Sequence, residues 1–275
     1  MTALPRGCAG ADQAVLERAL SVAQAAAREA AAAIVPLFRS QGLEVEHKDD
    51  DSPVTIADRN AEAIIRRHIG QAFPGHRIWG EEYGGEPSAE GWQWLVDPLD
   101  GTKSFVRGNP VFSTQIALWH DGQPVLGLSH VPVGGECAWA VRGRGAFIDG
   151  QPVRVGAGTK LAQAAVSIGN VASLAADARA WAGLSGIARG AWRLRGYGDY
   201  LHYHLLARGG IDAVVESDVG ILDIAALCLL VTEAGGVFTD LACGPVGFHT
   251  HSVLAAATPR LHADLARRLG GAGDP

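Results

Sequence analysis

The spacing of apolar and polar residues along the chain follows two periods, one typical of helices and one typical of strands. Near the N-terminus the apolar residues recur at the spacing of a single helical face, which predicts a long alanine-rich helix over residues 11–40. The positions that define this face are Val15, Leu16, Ala19, Leu20 and Ala23. An amphipathic helix with Ala61, Ile64 and Ile65 among its apolar positions is expected after it.

Strand-like segments occupy much of the remaining chain. Residues 112–120 and 125–131 flank Asp121-Gly122, a dipeptide typical of tight hairpins, so these segments predict an antiparallel pair. Short runs separated by glycines extend this meander, at 138–142, 146–148 and 152–155. In the second half, strand-like runs alternate with helical ones, at 165–168, 192–195, 213–216, 237–239 and 253–256, before a last helix over about 260–269.

This succession predicts an α+β fold with a mostly antiparallel N-terminal sheet and a mixed C-terminal sheet, each layered with helices. With 275 residues, 48% of them apolar, the chain is long enough to bury a substantial core. We expect a single domain over residues 1–275, built from two packed halves of about 1–155 and 156–269. Residues 270–275 are expected to fray.

The richest chemical signal is the hexapeptide Asp97-Pro98-Leu99-Asp100-Gly101-Thr102, which follows a strand-like apolar run. Pro98 cannot donate a ladder hydrogen bond, so the strand is expected to end there, before a short helix over residues 102–106. The two carboxylates and the Leu99 carbonyl are oxygen ligands of the kind that hard divalent cations prefer. Free amides at the following helix start would suit a phosphate. The alternative is a solvated turn, because Asp, Pro and Gly are all turn residues.

Three further acidic segments have a structural explanation as well as a chemical one. Glu81 and Glu82 follow Gly80 in a loop, where paired glutamates are usually surface charge. Asp58 lies at the start of the amphipathic helix, where an acidic residue complements the helix dipole. Asp223 precedes an apolar helical run and could be its N-cap.

Together these segments resemble the inositol monophosphatase family of magnesium-dependent phosphatases, in that family's order and spacing and over nearly the whole chain. The motifs that carry the resemblance are Gly80-Glu81-Glu82, residues 94–102, and Asp223-Ile224-Ala225-Ala226 followed by Glu233-Ala234-Gly235-Gly236. The fold it implies is the layered αβαβα arrangement of sugar phosphatases. One departure is Leu222, because the family usually has tryptophan before this aspartate, and the smaller side chain could loosen packing behind Asp223.

The resemblance implies a magnesium site with two or three ions. Glu81, Asp97 and the Leu99 carbonyl would hold one Mg²⁺, while Asp97, Asp100 and Asp223 would hold another. A physical argument agrees, because two unit charges about 4 Å apart repel by roughly 4 kcal/mol at an effective dielectric near 20. A cluster of carboxylates is therefore poor as a structural feature and sensible as a cation site.

The resemblance also implies the remaining catalytic roles. Thr102 and Asp58 would orient the attacking water, with Lys48 near them and with Glu81 counted among the catalytic groups. The amides of Gly101 and Thr102 would receive the phosphate. Bound cations would activate the water and stabilise the leaving alkoxide, so no covalent nucleophile is required.

Substrate identity is predicted from a second segment. Arg195-Gly196-Tyr197-Gly198-Asp199-Tyr200 resembles the histidinol-phosphate phosphatase branch of the family more than its inositol phosphatases. Glu216 and Asp223 stand where the family contacts the alcohol part of the substrate. Histidinol carries an ammonium group and an imidazole, so Asp199 beside Glu216 would add a negative field for a cation. Asp199 could instead be, or also be, the N-cap of a helix over residues 200–207.

The expected reaction is therefore hydrolysis of L-histidinol phosphate to L-histidinol and phosphate. Inositol 1-phosphate is the main alternative substrate, and a nucleotide 3′-phosphate is a further one. A non-catalytic metal-binding regulator is the alternative of a different class. The predicted partners are a small phosphate monoester and, from the family, a second copy of the chain in a homodimer.

Charge and cysteine content narrow the possible binding partners and the cellular compartment of the protein. A formal net charge of −6 without a long basic run argues against nucleic-acid binding. No apolar run approaches the roughly 20 residues that span a bilayer, and residues 1–12 show no signal peptide. The cysteines are scattered without metal or redox spacing, which predicts free thiols in a reducing cytoplasm. Their positions are Cys8, Cys137, Cys228 and Cys243.

Two histidine pairs are weaker candidates. His202 and His204 lie two residues apart on a predicted helix and so point in different directions, which favours packing or surface positions over ligation. His249 and His251 fall in a predicted loop, but imidazoles would be out of place in an oxygen-ligand site.

Overall fold

A computed structural model describes residues 10–38, 40, 45–47 and 53–270 of the chain. Its helices are α1 (Gly10–Phe38), α2 (Ile56–Ala72), α3 (Thr102–Val106), α4 (Ala172–Ala176), α5 (Ala178–Gly190), α6 (Asp199–Ala207), α7 (Ile221–Glu233) and α8 (Pro259–Leu269), with a 3₁₀ turn at Leu161–Gln163. Its first strands are β1 (Val45–His47), β2 (Pro53–Thr55), β3 (Arg77–Gly80), β4 (Trp92–Asp100), β5 (Ser113–His120), β6 (Gln123–His130), β7 (Cys137–Val141), β8 (Gly145–Ile148) and β9 (Gln151–Val153). The later strands are β10 (Ala165–Ile168), β11 (Arg193–Arg195), β12 (Ala213–Ser217), β13 (Val237–Thr239) and β14 (Ser252–Ala256).

Two large sheets organise the molecule. The first has seven strands in sequence order from β3 to β9, and all its neighbours are antiparallel except β3 and β4. The second has the order β11-β10-β12-β14-β13 and mixes parallel with antiparallel pairs. The predicted α+β fold with these two kinds of sheet is confirmed. β1 and β2, which pair antiparallel, were not predicted.

The helices form layers on both faces of the sheets. α1 and α2 pack on one face of the seven-stranded sheet, and α7 packs on its other face. α6 and α7 lie together between the two sheets, while α5 and α8 pair beside the five-stranded sheet. The order of layers is therefore αβαβα. α7 contacts both sheets, so nearly all sides of this helix are buried and apolar. It therefore lacks the polar face of a surface helix.

Local sequence signals explain where several elements begin and turn. Asp121 and Gly122 both have positive φ, at 49° and 69°, as the tight hairpin between β5 and β6 requires. α2 begins with a capping box in which Thr55 and Asp58 hydrogen-bond each other's backbone. The long N-terminal helix was predicted over 11–40, and the structure describes it as α1 over Gly10–Phe38. None of the described helices is long and apolar enough to cross a membrane.

The prediction that the strand ends at Pro98 is wrong. β4 continues to Asp100, and its pairing with β5 is interrupted between Asp97 and Asp100. Because the ladder is broken at this irregularity, the missing N–H of proline costs no hydrogen bond there. The carbonyl of Pro98 accepts instead from the Thr114 hydroxyl at 2.8 Å.

Candidate active site

The irregular C-terminal end of β4, the second strand of the seven-stranded sheet, carries the first four residues of the acidic hexapeptide. Asp97 accepts the Leu99 N–H at 2.9 Å through Oδ1, and Asp100 accepts the Ser113 hydroxyl at 3.0 Å through Oδ2. Gly101 then turns the chain into α3 with φ of 88°. A Cβ at this position would lie 2.9 Å from the Val111 carbonyl oxygen, so both backbone conformation and space favour glycine.

Asp58 and Thr102 meet although they are 44 residues apart. The Thr102 hydroxyl lies 3.1 Å from Asp58 Oδ1 and 2.9 Å from the Leu99 carbonyl oxygen, so its single proton is shared between two acceptors. Asp58 Oδ2 accepts from both the N–H and the hydroxyl of Thr55, at 2.8 and 2.6 Å. Burial raises the pKa of Asp58, and the hydrogen bonds from Thr55 and Thr102 partly oppose that rise. The pair is thus fixed in position by α2 and α3.

The loop that carries Glu81 is held by a residue that the sequence analysis missed. Glu62 on α2 is fully buried, and its carboxylate accepts the N–H groups of Glu82 and Tyr83 at 2.6 and 3.2 Å. Arg66 pairs with the same carboxylate at 2.6 Å. The Glu62–Arg66 spacing of four residues on a helix was the available signal, but it equally describes an ordinary surface pair.

Asp223 is the third residue of α7 rather than its N-cap. The cap residue is Gly220, whose N–H donates to Asp223 Oδ2 at 2.7 Å. The carboxylate therefore stabilises the helix start and still faces the hexapeptide. Leu222, which stands where the family usually has tryptophan, is partly buried against the core between the sheets.

One cavity of about 210 Å³ unites most of the predicted residues. It is lined by Glu81, Asp97, Leu99, Asp100, Gly101, Thr102, Lys103, Asn170, Asp199, Asp218 and Asp223. Lys103, Asn170 and Asp218 were not predicted as site residues. Lys103 directly follows the hexapeptide, whereas nothing in the sequence context of Asn170 and Asp218 distinguishes them. Lys48 lies outside the described residues. No three carboxylate, histidine or cysteine side chains of the described residues are already gathered as a complete metal-binding group.

The carboxylates of this cavity interact unfavourably when ionised. Burial raises the pKa of Asp97 well above its usual value, and the charges of Glu81, Asp100 and Asp223 raise it further. Burial likewise raises the pKa of Asp100, with added repulsion from Asp199 and Asp223. The pKa of Asp223 rises to about 6, mainly through burial, although the Gly220 N–H opposes this. Each group is destabilised by loss of water and by its neighbours.

The donor set fits a hard divalent cation. Its members are four carboxylates and one main-chain carbonyl, all oxygen donors, facing one cavity. Within the part of the chain that the structure describes, no Lys, Arg or His forms an ion pair with Asp97, Asp100 or Asp223. A cation would therefore supply the compensating charge that these buried acids lack among the described side chains.

Beside this cavity lies a second group of residues, carried by α6 and β12. Buried Glu216 Oε2 accepts the Tyr203 hydroxyl at 2.7 Å and lies 3.1 Å from His202 Nε2. The Ser167 hydroxyl lies 3.3 Å from His202 Nδ1 and accepts the Tyr197 N–H, so it can donate to Nδ1 and leave the proton on Nε2. His202 then donates to Glu216. A smaller cavity lined by Asp199 and Glu216 adjoins this arrangement.

Asp199 is not the N-cap of its helix. Gly198 occupies that position, and Asp199 is the first residue of α6, with an unusual positive φ of 47°. Its Oδ2 accepts the Ser104 hydroxyl at 3.3 Å, across the cavity from α3. Burial and the neighbouring charge of Glu216 raise the pKa of Asp199. The conformation therefore turns this side chain toward the site.

The weaker candidates lie elsewhere. His202 and His204 are both fully buried and hydrogen-bonded, as expected for packing residues. His249 and His251 are outside the cavity that holds the predicted ligands. Cys137, Cys228 and Cys243 are free thiols, and Cys8 falls outside the described residues.

Comparison with known proteins agrees with this geometry. The model of the inositol monophosphatase family matches residues 15–272. A histidinol-phosphatase of Mycobacterium tuberculosis is 40% identical over 247 residues, which are 84% of this chain and 90% of that protein. An inositol-1-monophosphatase of Bacillus subtilis is 34% identical over 86% of this chain and 91% of its own.

A solved structure shows the same fold. The extragenic suppressor protein suhB of Bartonella henselae superposes with a TM-score of 0.83 and 30% identity, over 92% of this chain and 99% of that chain. The chain therefore belongs to the inositol monophosphatase family. It is a phosphoric monoester hydrolase.

Proposed function

We propose that the protein is a magnesium-dependent phosphatase that hydrolyses L-histidinol phosphate to L-histidinol and phosphate by attack of an activated water. The observation that carries this proposal is a pair of adjoining cavities. One is lined by the buried carboxylates and by Thr102, whose hydroxyl bonds Asp58, and the other is lined by Asp199 and Glu216. The similarity to the Mycobacterium tuberculosis histidinol-phosphatase supports the choice of substrate.

The cation side of the cavity is assigned to five oxygen ligands. Glu81, Asp97, Asp100 and Asp223 would hold Mg²⁺ through their carboxylates, and Leu99 through its carbonyl oxygen. Bound Mg²⁺ would lower the pKa of a water ligand and neutralise phosphate charge. The proposal includes two or three ions for each site.

The remaining residues on this side act on the water and the phosphate. Asp58 accepts a hydrogen bond from the Thr102 hydroxyl, which leaves the oxygen of Thr102 free to accept a hydrogen bond from the attacking water. This would orient a water lone pair toward phosphorus. The main-chain amides of Gly101 and Thr102 would donate to the phosphate oxygens, and Lys48 is proposed to lie near the water.

The recognition side is assigned to Asp199 and Glu216. Both acids line the smaller cavity next to the cation side, and their negative charges add to one electrostatic field in it. A substrate whose alcohol part carries an ammonium and an imidazole would neutralise this pair, whereas a neutral polyol would offer only hydrogen-bond donors. Histidinol phosphate therefore matches the charge of this side better.

Inositol 1-phosphate remains a second candidate because the Bacillus subtilis inositol-1-monophosphatase is 34% identical. Glu216 could accept hydroxyl donors from a polyol as well as from a cation. A kinetic panel of histidinol phosphate, inositol 1-phosphate and adenosine 3′,5′-bisphosphate, each with and without Mg²⁺, separates these substrates. A kcat/KM for inositol 1-phosphate tenfold above that for histidinol phosphate would reject the histidinol assignment.

The same panel tests metal dependence. Chelation should abolish turnover, and added Mg²⁺ should restore it and raise Tm, since a ligand at a hundred times its Kd stabilises a protein by about 2.7 kcal/mol. Turnover that survives chelation would contradict the metal assignment. We further propose that the chain acts as one phosphatase domain and as a homodimer, which sedimentation at several concentrations would test.

A further inference from the structure

A continuous path of buried side-chain hydrogen bonds leads from Asp100 to the far side of α6. Its central members are Ser113 and Gln115 on β5 and Ser129 on β6, which we call the serine–glutamine chain. All three are almost completely buried. At one end the Ser113 hydroxyl donates to Asp100 Oδ2 at 3.0 Å. At the other end Ser129 lies 2.9 Å from His204 Nε2.

The amide of Gln115 sets the direction of the hydrogen bonds in the serine–glutamine chain. Gln115 Nε2 donates to Ser113 Oγ at 2.7 Å and to Ser129 Oγ at 3.0 Å. Each serine hydroxyl already accepts a proton, so each must direct its own proton away from Gln115. Ser113 directs it to Asp100, and Ser129 directs it to His204.

The opposite amide orientation would reverse these bonds. If the oxygen of Gln115 faced both serines, their hydroxyl protons would turn toward it, and Asp100 would lose its donor. In the observed orientation Gln115 Oε1 is a buried atom without a hydrogen-bond partner among the described residues. The opposite orientation would instead leave the buried amide N–H groups unpaired at this place, so the stabilisation that selects the observed orientation must come from the ends of the serine–glutamine chain.

His204 supplies that stabilisation. Its Nδ1 lies 2.7 Å from Glu136 Oε1, and the same oxygen accepts from Arg208 at 2.6 Å. A carboxylate only accepts, so the proton of neutral His204 resides on Nδ1, and Nε2 is left as an acceptor for Ser129. Burial lowers the pKa of His204, which agrees with the neutral ring.

We propose that His204 is a positioning residue for the cation site, which fixes the hydrogen bond on Asp100 through the serine–glutamine chain. This inference rests on the proposed function, because it takes Asp100 to be a cation ligand. The hydroxyl on Oδ2 holds the carboxylate in one rotamer and leaves Oδ1 for the cation. Outer partners of this kind typically change metal affinity by about tenfold to a hundredfold.

The test is direct titration of Mg²⁺ into the purified full-length protein by calorimetry, beside a measurement of Tm. His204→Leu removes the acceptor for Ser129, and we expect the Kd for Mg²⁺ to rise about threefold to tenfold, less than for a direct partner. His204→Gln can still accept from Ser129 and donate to Glu136, so its Kd should stay within about twofold of the wild type. If His204→Leu does not fold, Ser129→Ala interrupts the same hydrogen-bond path with a smaller loss of side-chain volume. It should raise the Kd for Mg²⁺ equally.

A matched control separates positioning from stability. His262 is also buried and bonds a hydroxyl, Thr239 Oγ1 at 2.8 Å, but it lies on α8 beside the other sheet. His262→Leu should lower Tm without changing the Kd for Mg²⁺. A Kd for His204→Leu and Ser129→Ala within twofold of the wild type would overturn the inference. So would equal losses of affinity in His204→Leu, His204→Gln and His262→Leu.

The titration also distinguishes this inference from the proposed function. Asp97→Asn is the reference, since it removes a proposed ligand directly. If Asp97→Asn binds Mg²⁺ as the wild type does, the cation site itself is wrongly assigned. If only Asp97→Asn loses affinity while the His204 and Ser129 variants keep it, the site stands and the role of His204 does not.

Discussion

The two sides of the cavity are built in different ways. The proposed cation side is centred on residues 97–102, where one strand end and one tight turn place the proposed ligands Asp97, Leu99 and Asp100 and the proposed phosphate-binding amides. The recognition side comes from α6 and β12, where Glu216 depends on hydrogen bonds from His202 and Tyr203. The centre of the first is set by local backbone geometry, with Glu81, Asp58 and Asp223 joining it from other elements. The second is set entirely by contacts between distant elements.

This difference predicts different consequences of mutation. A change on the cation side removes charge or a proton acceptor that every phosphate ester needs, so all substrates should be affected alike. A change on the recognition side alters what the alcohol part of the substrate meets, so substrates should be affected unequally. The predictions below test this separation.

The largest effect is expected for Asp97→Asn on the cation side. Loss of a carboxylate that would hold the proposed cations should remove several kcal/mol of transition-state stabilisation, a decrease of about a thousandfold in kcat for every substrate. Because like charges surround Asp97, the metal-free variant should be at least as thermally stable as the wild type. Steady-state kinetics and Tm in chelator measure both effects.

Asp240→Asn is the matched control for that variant. Asp240 also accepts a main-chain N–H, from Gly244 at 2.6 Å, but it lies outside the cavity. It should keep nearly full turnover. Biological activity that persists without turnover in cells carrying Asp97→Asn would indicate a regulatory role beside the enzymatic one.

A smaller effect is expected for Thr102→Val, which keeps the shape of the side chain but removes its hydroxyl. If this hydroxyl orients the water, kcat should fall about a hundredfold for all substrates while KM changes little. Thr102→Ser retains the hydroxyl and should keep most of the rate. Equal losses in both variants would assign the effect to packing instead.

The sequence identified most of the residues that line the cavity of the proposed cation side because their signals are local, and their role as ligands stays a prediction. Residues 97–102 are contiguous, and their motif carried the family resemblance over nearly the whole chain. The prediction that the strand ends at Pro98 was wrong, since a proline at an interrupted ladder does not end a strand. Asp223 and Asp199 were considered as N-caps, but glycines take those positions.

The recognition side and its supports were harder to predict because they depend on tertiary contacts. His202 and His204 were expected to pack, and they do, yet their hydrogen bonds to Glu216 and Glu136 carry no sequence signature. Glu62 was missed for the same reason, because its carboxylate binds a loop 20 residues away. Periodicity identifies which residues are buried, but not which polar groups meet.

Glu216→Gln should change selectivity more than rate on the recognition side. If Glu216 faces the cationic part of the substrate, kcat/KM for histidinol phosphate should fall tenfold or more, as for loss of about 1.5–3 kcal/mol from a charged hydrogen bond. The value for a neutral ester such as inositol 1-phosphate should fall less. A parallel loss for both esters would contradict the separation of the two sides.

Tyr203→Phe provides a companion to that variant. It keeps the charge of Glu216 but removes the hydroxyl donor at 2.7 Å. Selectivity should shift in the same direction by a smaller factor, because the carboxylate stays in place with its bond to His202. Unchanged selectivity in Tyr203→Phe alone would limit the role of the tyrosine to packing.

The smallest effect concerns the anchor of α6, which carries the recognition side. Hydrogen bonds from His204 and Arg208 lower the pKa of Glu136 from 4.5 to about 2. A lowered pKa means that the ionised form favours the folded state, so this stabilisation is full above about pH 4.5 and is lost as pH falls toward 2. Because the side chain is partly exposed, Glu136→Gln should lower the free energy of unfolding by about 1–2 kcal/mol at pH 7.

Denaturant unfolding of wild type and Glu136→Gln at a series of pH values from 7 to 3 measures this difference, which should shrink steadily below about pH 4.5. Glu17→Gln is the matched control, since Glu17 pairs with Arg144 at 2.9 Å in an exposed position and should contribute less than about 1 kcal/mol. A difference for Glu136→Gln that is constant with pH would show that charge on this anchor does not stabilise α6. The recognition side would then depend on packing between the sheets rather than on its hydrogen-bonded anchor.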